Sequence, residues 1–121
     1  MPKILVVDDS RLSRRILRGM LEPHGFQVLE AEDGIQALER YFLDKPDLVL
    51  LDLTLEGMYG MDVLQKLKEM DPRARVVIAS ADIQKQTHAI ANEAGAVDFI
   101  GKPFLQDQVL NVVGAALKGA S

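Results

Sequence analysis

The chain has 121 residues and contains no cysteine, no tryptophan, and only two tyrosines and four phenylalanines. Without cysteine there are no disulfides, no thiolate nucleophile and no cysteine-ligated metal. Long hydrophobic runs are also missing: no apolar stretch approaches the roughly 20 residues needed to span a bilayer. Met1-Pro2-Lys3 leads straight into a short apolar run, without the layout of a signal peptide. These absences predict a soluble, cytoplasmic protein with no membrane association. A net charge of −4 provides no global attraction for nucleic acid, so no direct nucleic-acid contact is expected. There is no repeat, linker or low-complexity segment, and residues 1–121 are expected to form a single domain with one core.

What is present is an alternation of short apolar runs with longer stretches of helical period. Strands are predicted over residues 3–7, 26–31, 48–51, 75–80 and 97–100. Asp9 or Ser10 can cap a first helix that runs to about Glu22, where Pro23, His24 and Gly25 stop it. Asp33 to Gln36 has the form of a capping box, opening a helix to about Leu43 with Ala37, Leu38, Tyr41 and Phe42 spaced to face a sheet. Further helices are predicted over 61–70, carrying Val63, Leu64 and Leu67, over 83–94 with Gly95 as its stop, and over 105–118. Strands each followed by a helix, with short connections, require right-handed crossovers. The fold class is therefore α/β: a five-stranded, doubly wound parallel sheet covered on both faces.

Core packing does not account for the polar residues at the C-terminal ends of these runs. Ile4 to Val7 runs into Asp8 and Asp9, Leu48 to Leu51 into Asp52, Val76 to Ala79 into Ser80, Ala81 and Asp82, and Val97 to Ile100 into Gly101, Lys102 and Pro103. If the strands are parallel, these groups collect at one edge of one sheet. Clustered carboxylates facing a lysine and a hydroxyl suit a hard cation and a phosphoryl group. Taken singly, Asp9 reads as a helix cap, Ser80 as a small polar residue at a strand end and Lys102 as a surface lysine before a turn. Taken together at four strand ends, those separate readings do not explain the coincidence.

In the order and spacing of these residues the whole chain resembles the receiver domain of bacterial two-component response regulators, including its single-domain chemotaxis members. The resemblance implies a flavodoxin-like (βα)5 sheet of strand order 2-1-3-4-5. It implies that Asp52 is phosphorylated by a histidine kinase or phosphotransfer domain, that the protein is a regulatory switch acting on a downstream protein partner, and that it catalyses nothing beyond its own phosphorylation and dephosphorylation. The implied cofactor is magnesium, held directly by Asp9 and Asp52, through water by Asp8, and by the main-chain carbonyl of Thr54. Lys102 and Ser80 would contact the phosphoryl oxygens, with a cis peptide before Pro103 turning the lysine inward. Ser80 and Phe99 would form the switch pair, and Thr54 and Asp82 would tune the lifetime of the acyl phosphate. No output domain is expected, and a monomer or weak dimer is. The chemistry agrees: phosphoryl transfer needs an in-line nucleophile and positive charge where the oxygens spread theirs, and two adjacent carboxylates tolerate an incoming phosphoryl group only with a divalent cation between them.

After Asp52 the family usually continues Met-Pro-x-Met-Asp-Gly, whereas here Leu53 to Gly60 places Glu56 at the proline position with Gly57 after it, predicting a looser loop. The first helix carries Arg11, Arg14, Arg15 and Arg18 along one side, where the family meets its phosphodonor, and Leu12, Ile16 and Met20 on the other. The last helix has more apolar residues than one stripe needs, among them Leu105, Leu110, Val112 and Leu117, which predicts an apolar docking patch with Phe99. Two rival readings stay open. Asp52-Leu53-Thr54 loosely resembles the nucleophile motif of haloacid-dehalogenase phosphatases, although that family places it after the first strand. A pseudo-receiver that binds partners without being phosphorylated is the other.

Overall fold

The computed structural model describes residues 1–55, 58–81 and 84–118. Its strands are β1 (Lys3–Val7), β2 (Gln27–Ala31), β3 (Leu48–Leu51), β4 (Val76–Ser80) and β5 (Asp98–Gly101), and its helices α1 (Arg11–Leu21), α2 (Gly34–Asp44), α3 (Gly60–Met70), α4 (Lys85–Glu93) and α5 (Gln106–Lys118). All strand pairs are parallel and the order is β2-β1-β3-β4-β5. The predicted class and order both hold.

The strand sequences show how both faces are covered. Leu5, Val7, Val49, Leu51, Val76 and Ile78 pack on one side with Ala37 and Tyr41 of α2, Val63, Leu64 and Leu67 of α3, and Ala91 of α4. Their neighbours Ile4, Val6, Leu48, Leu50, Val77 and Ala79 pack on the other with Leu17 and Leu21 of α1 and Val109 and Val113 of α5. A period of two with apolar residues at both phases is what a central parallel strand between two helical layers requires. β1 lies between β2 and β3, so the chain leaves it in opposite directions and a crevice opens above its C-terminal end.

Several local expectations change. Ser10, not Asp9, caps α1, its hydroxyl accepting the Ser13 N–H at 3.2 Å. The core side of α1 is Leu17 and Leu21, with Met20 partly buried, whereas Leu12 and Ile16 are exposed. On α2, Phe42 is 70% exposed instead of facing the sheet. Asp33 does cap α2, accepting the Gln36 N–H at 2.8 Å, but the Gln36 side chain accepts the Glu32 N–H at 3.0 Å, so the reciprocal bond of a capping box is made one residue early. On α5, Leu110, Val112, Ala116 and Leu117 are partly buried against the core and Leu105 alone of the apolar set stands well exposed, so the surplus expected for a docking patch is mostly used in packing. α4 is described from Lys85, two residues later than expected, and Gly60 belongs to α3 instead of breaking the preceding loop. Glu56, Gly57 and Asp82 lie outside the described residues.

At the opposite end of the sheet from the carboxylates, the buried Tyr41 donates its hydroxyl to Asp71 Oδ2 at 2.8 Å, tying α2 to the end of α3. This bond holds the Asp71 carboxyl below its ordinary value, and burial with the Asp71 contact pushes the Tyr41 phenol up. Tyr41→Phe should lower stability by about 1 kcal/mol, a modest figure because Asp71 is only half-buried. A depressed carboxyl stabilises the fold above its ordinary value and ceases to as pH falls through its folded value. The gap between Tyr41→Phe and wild type in urea titrations should therefore be full at neutral pH and narrow only as pH falls below the ordinary carboxyl value of 3.8.

Candidate functional site

β1 ends at Val7, directly before Asp8, β3 at Leu51, before Asp52, β4 at Ser80 itself and β5 at Gly101, before Lys102. Parallel register brings these ends to one edge: Val7 pairs with Leu51, and Ser80 with Gly101. Lys102 Nζ lies 2.8 Å from Asp8 Oδ2 and 2.9 Å from Asp52 Oδ2. Both carboxylates are almost fully buried, at 2% and 1% exposure, as is Ser80. The Lys102–Pro103 bond is cis, and the Lys102 N–H donates to the Ser80 carbonyl at 3.3 Å.

The nucleophile candidate is held from both sides. Asp52 Oδ1 accepts the Thr54 N–H at 3.0 Å and the Thr54 hydroxyl at 2.9 Å, while Oδ2 accepts from Lys102. Asp8 Oδ1 accepts the Ser10 N–H at 2.8 Å. Asp8 Oδ2, by contrast, is buried and among the described residues has no directed hydrogen bond; its contact with Lys102 is one of charge. α3 begins directly against the Asp52 turn. A Cβ on Gly60 would lie 2.5 Å from Leu53 Cα and 2.6 Å from the Asp52 carbonyl oxygen, so only glycine permits that approach.

Burial and hydrogen bonding divide the two buried carboxylates. For Asp8, burial dominates and pushes the carboxyl above its ordinary value, outweighing Lys102 and the Ser10 N–H, with the Asp52 charge adding to the rise. Asp52 is also raised by burial, but the Thr54 N–H, Lys102 and the Thr54 hydroxyl together prevail and hold it below the ordinary value. Burial disfavours the Lys102 ammonium, yet its two carboxylate partners leave it above the ordinary lysine value. The result is an ionised Asp52 with a cation fixed on one oxygen, the condition a carboxylate nucleophile needs.

The sequence matches the Response regulator receiver domain family over residues 4–114. The chain belongs to that family. It is 41% identical over 116 residues to the chemotaxis protein CheY of Bacillus subtilis, covering 95% of this chain and 97% of that one. It is 36% identical over 111 residues to sporulation initiation phosphotransferase F of the same organism, covering 92% and 90%. Among solved structures, the signal receiver domain of a putative LuxO repressor protein from Vibrio parahaemolyticus superposes with a TM-score of 0.93 at 30% identity, covering 98% of this chain and 92% of that one. Receiver domains are regulatory modules of two-component response regulators, and phosphorylation-dependent signalling is their general function.

Receiver domains bind magnesium at an acidic pocket, and this receiver domain has the donors for it. Asp8, Asp9 and Asp52 each offer a carboxylate oxygen within 4.8 Å of the others, Asp9 from an exposed position. The all-oxygen set, and a buried Asp8 Oδ2 that meets the Lys102 ammonium by charge and makes no directed hydrogen bond among the described residues, suit a hard divalent cation. Because the Asp8 carboxyl is raised, the ionised group costs stability, a penalty absent below the ordinary carboxylate range and fully present above the folded value. Magnesium should therefore stabilise the fold at neutral pH, by about 1.4 kcal/mol at roughly tenfold over its Kd. Asp8→Asn should melt above wild type in magnesium-free buffer and gain less from added magnesium. Calorimetric melting of both proteins with and without magnesium at two pH values checks this, and an equal magnesium gain in both proteins would refute it.

Of the predicted site residues, Asp8, Asp9, Asp52, Thr54, Ser80 and Lys102 are gathered together. Phe99 lies on β5, partly buried, with its ring stacked on His88 of α4 at 4.2 Å between centroids. That stack escapes the sequence reading because His88 and Phe99 meet only across an α/β contact. The arginine side of α1 is also not the free basic stripe it resembles. Arg14 and Arg18 both pair with Glu30 of β2, and Arg14 Nη1 donates to the Asp8 carbonyl at 2.6 Å. Within the sequence, a lone Glu in β2 opposite arginines spaced four apart is the only signal of this network.

Proposed function

We propose that this protein, acting as a single domain over residues 1–121, is a phosphorylation-controlled switch. Asp52 accepts a phosphoryl group from a phosphohistidine on a kinase or phosphotransfer domain, and the face built from α4, β5 and α5 passes the change to a downstream protein partner. The observation that carries the reading is the buried triangle in which Lys102 bridges Asp8 and Asp52 at the C-terminal edge of the sheet. As a carboxylate oxygen of Asp52 bonds to phosphorus in line, the phosphorus–nitrogen bond breaks and the imidazole leaves, taking up a proton from water. Asp9, Asp52 and the Thr54 carbonyl, with Asp8 through water, would hold magnesium, which would supply positive charge to the oxygens of the transferred group. Lys102 turns from the Asp52 carboxylate to one phosphoryl oxygen, and the Thr54 N–H and the Ser80 hydroxyl serve the others.

The change is relayed by population shift. Ser80 moves toward the phosphoryl group, Phe99 adjusts in the space vacated, and its stack on His88 carries the adjustment to α4. Thr54 and, by its sequence position two residues after Ser80, Asp82 tune the lifetime of the acyl phosphate. The chemotaxis and sporulation relatives make a motility or relay pathway in the cytoplasm the setting to test first. Family membership and the placement of Asp52 after β3 argue against the haloacid-dehalogenase reading. Incubation with magnesium and a small phosphodonor, followed by intact mass, tests the proposal. A gain of one phosphoryl group supports the switch, and no gain under conditions that label a related receiver supports the pseudo-receiver.

A further inference from the structure

Arg14 is the one arginine of α1 that reaches the acidic turn. Its side chain is only 11% exposed, its Nε donates to Glu30 Oε1 at 2.9 Å, and its Nη1 donates to the Asp8 carbonyl at 2.6 Å. That carbonyl belongs to the peptide linking Asp8 to Asp9. The other side of Asp8 is also fixed, since its N–H donates to the Ala31 carbonyl at 3.1 Å. Asp9 is exposed, and the plane of the preceding peptide fixes the backbone position from which its side chain starts. Glu30 holds the guanidinium from behind, and Arg18 binds the second oxygen of Glu30 at 2.7 Å, so the fork is anchored to β2 and not adrift on the surface.

We infer that Arg14, braced by Glu30, is a positioning residue for the divalent cation: it locks the Asp8–Asp9 peptide so that Asp9 presents its carboxylate beside those of Asp8 and Asp52. The inference rests on the reading of that cluster as the magnesium site. Only a planar fork can bond a carboxylate through one nitrogen and a carbonyl through another at a fixed spacing, so lysine is not an equivalent replacement. Outer groups that orient ligands typically change metal affinity about 10- to 100-fold when removed.

Charge alone predicts the opposite sign, which makes the test sharp. Removing a positive charge near a cation site tightens binding, whereas loss of positioning weakens it. Magnesium affinity should be measured by calorimetry on the unphosphorylated full chain for wild type, Arg14→Met, Arg14→Lys and Arg18→Met. Arg18→Met is the control, because Arg18 also pairs with Glu30 but donates to Val28 instead of the acidic turn. Arg14→Met and Arg14→Lys are expected to bind magnesium about tenfold more weakly than wild type, and Arg18→Met within twofold of it. If Arg14→Met does not fold, Arg14→Lys, which retains the charge, decides alone. Wild-type or tighter binding in Arg14→Lys overturns the positioning role while leaving the magnesium site standing. Absence of magnesium binding in the wild type overturns the site and this inference together.

Discussion

Asp52→Asn is expected to take up no phosphoryl group from a small phosphodonor in magnesium, a loss on the order of 10³-fold or more in rate, because the amide keeps the shape but not the nucleophilic charge. The fold should survive. The Thr54 N–H and hydroxyl, now at 3.0 and 2.9 Å from Oδ1, can donate equally to an amide oxygen, and Lys102 keeps Asp8 as its counter-ion. Some stability should still be lost near neutral pH, since the Asp52 carboxyl is held below its ordinary value in the fold. A depressed carboxyl contributes stability above the ordinary carboxylate range and loses it as pH falls through the folded value, so wild type and Asp52→Asn should converge in acid. Intact mass after labelling and denaturant titrations at two pH values read both arms. Undiminished labelling of Asp52→Asn would move the nucleophile elsewhere.

Replacing Lys102 should have the largest effect on stability. Lys102→Met leaves two carboxylates at 2% and 1% exposure without their cation, and removal of one partner from a buried ion pair typically costs about 3 kcal/mol or more. Magnesium should return much of that loss by replacing the missing positive charge. The pH dependence has a definite sign. Lys102 is raised above its ordinary value of 10.5, so its contribution is complete below that pH and is lost only as pH climbs through the still higher folded value. On the acid side the deficit of Lys102→Met should shrink as the raised Asp8 takes up its proton before Asp52 does. Lys102→Arg keeps a charge and should remain folded and able to accept a phosphoryl group, yet transmit less to a partner, because a planar fork does not fit the point contact of an ammonium. Wild-type stability of Lys102→Met in magnesium-free buffer, or full partner binding by phosphorylated Lys102→Arg, would remove the lysine from its central place.

The sequence by itself determined the layers, the strand positions and the edge at which the chemistry collects. These rest on local and periodic features: apolar runs at both phases in Leu48 to Leu51, stops at Gly25 and Gly95, and polar residues directly after each run. A parallel sheet then brings those ends together whatever the details, so Asp8, Asp52, Ser80 and Lys102 were legible as one group before any coordinate. The tertiary structure decided everything that depends on which helical face turns inward and which groups meet across elements. Phe42 and Tyr41 are adjacent and equally apolar in pattern, but neighbours lie about 100° apart around a helix, and the inward face carries Tyr41, whose hydroxyl meets Asp71. Leu12 and Ile16 look as fit for the core as Leu17 and Leu21, yet the face that α1 turns to the sheet carries only the second pair. The opposite shifts of Asp8 and Asp52 are likewise invisible in two aspartates of identical chemistry, because burial acts on both and the Thr54 donors reach one alone. Arg14 shows the same limit, since four arginines on one helix read alike until the fold places Glu30 and the Asp8 carbonyl within reach of one of them.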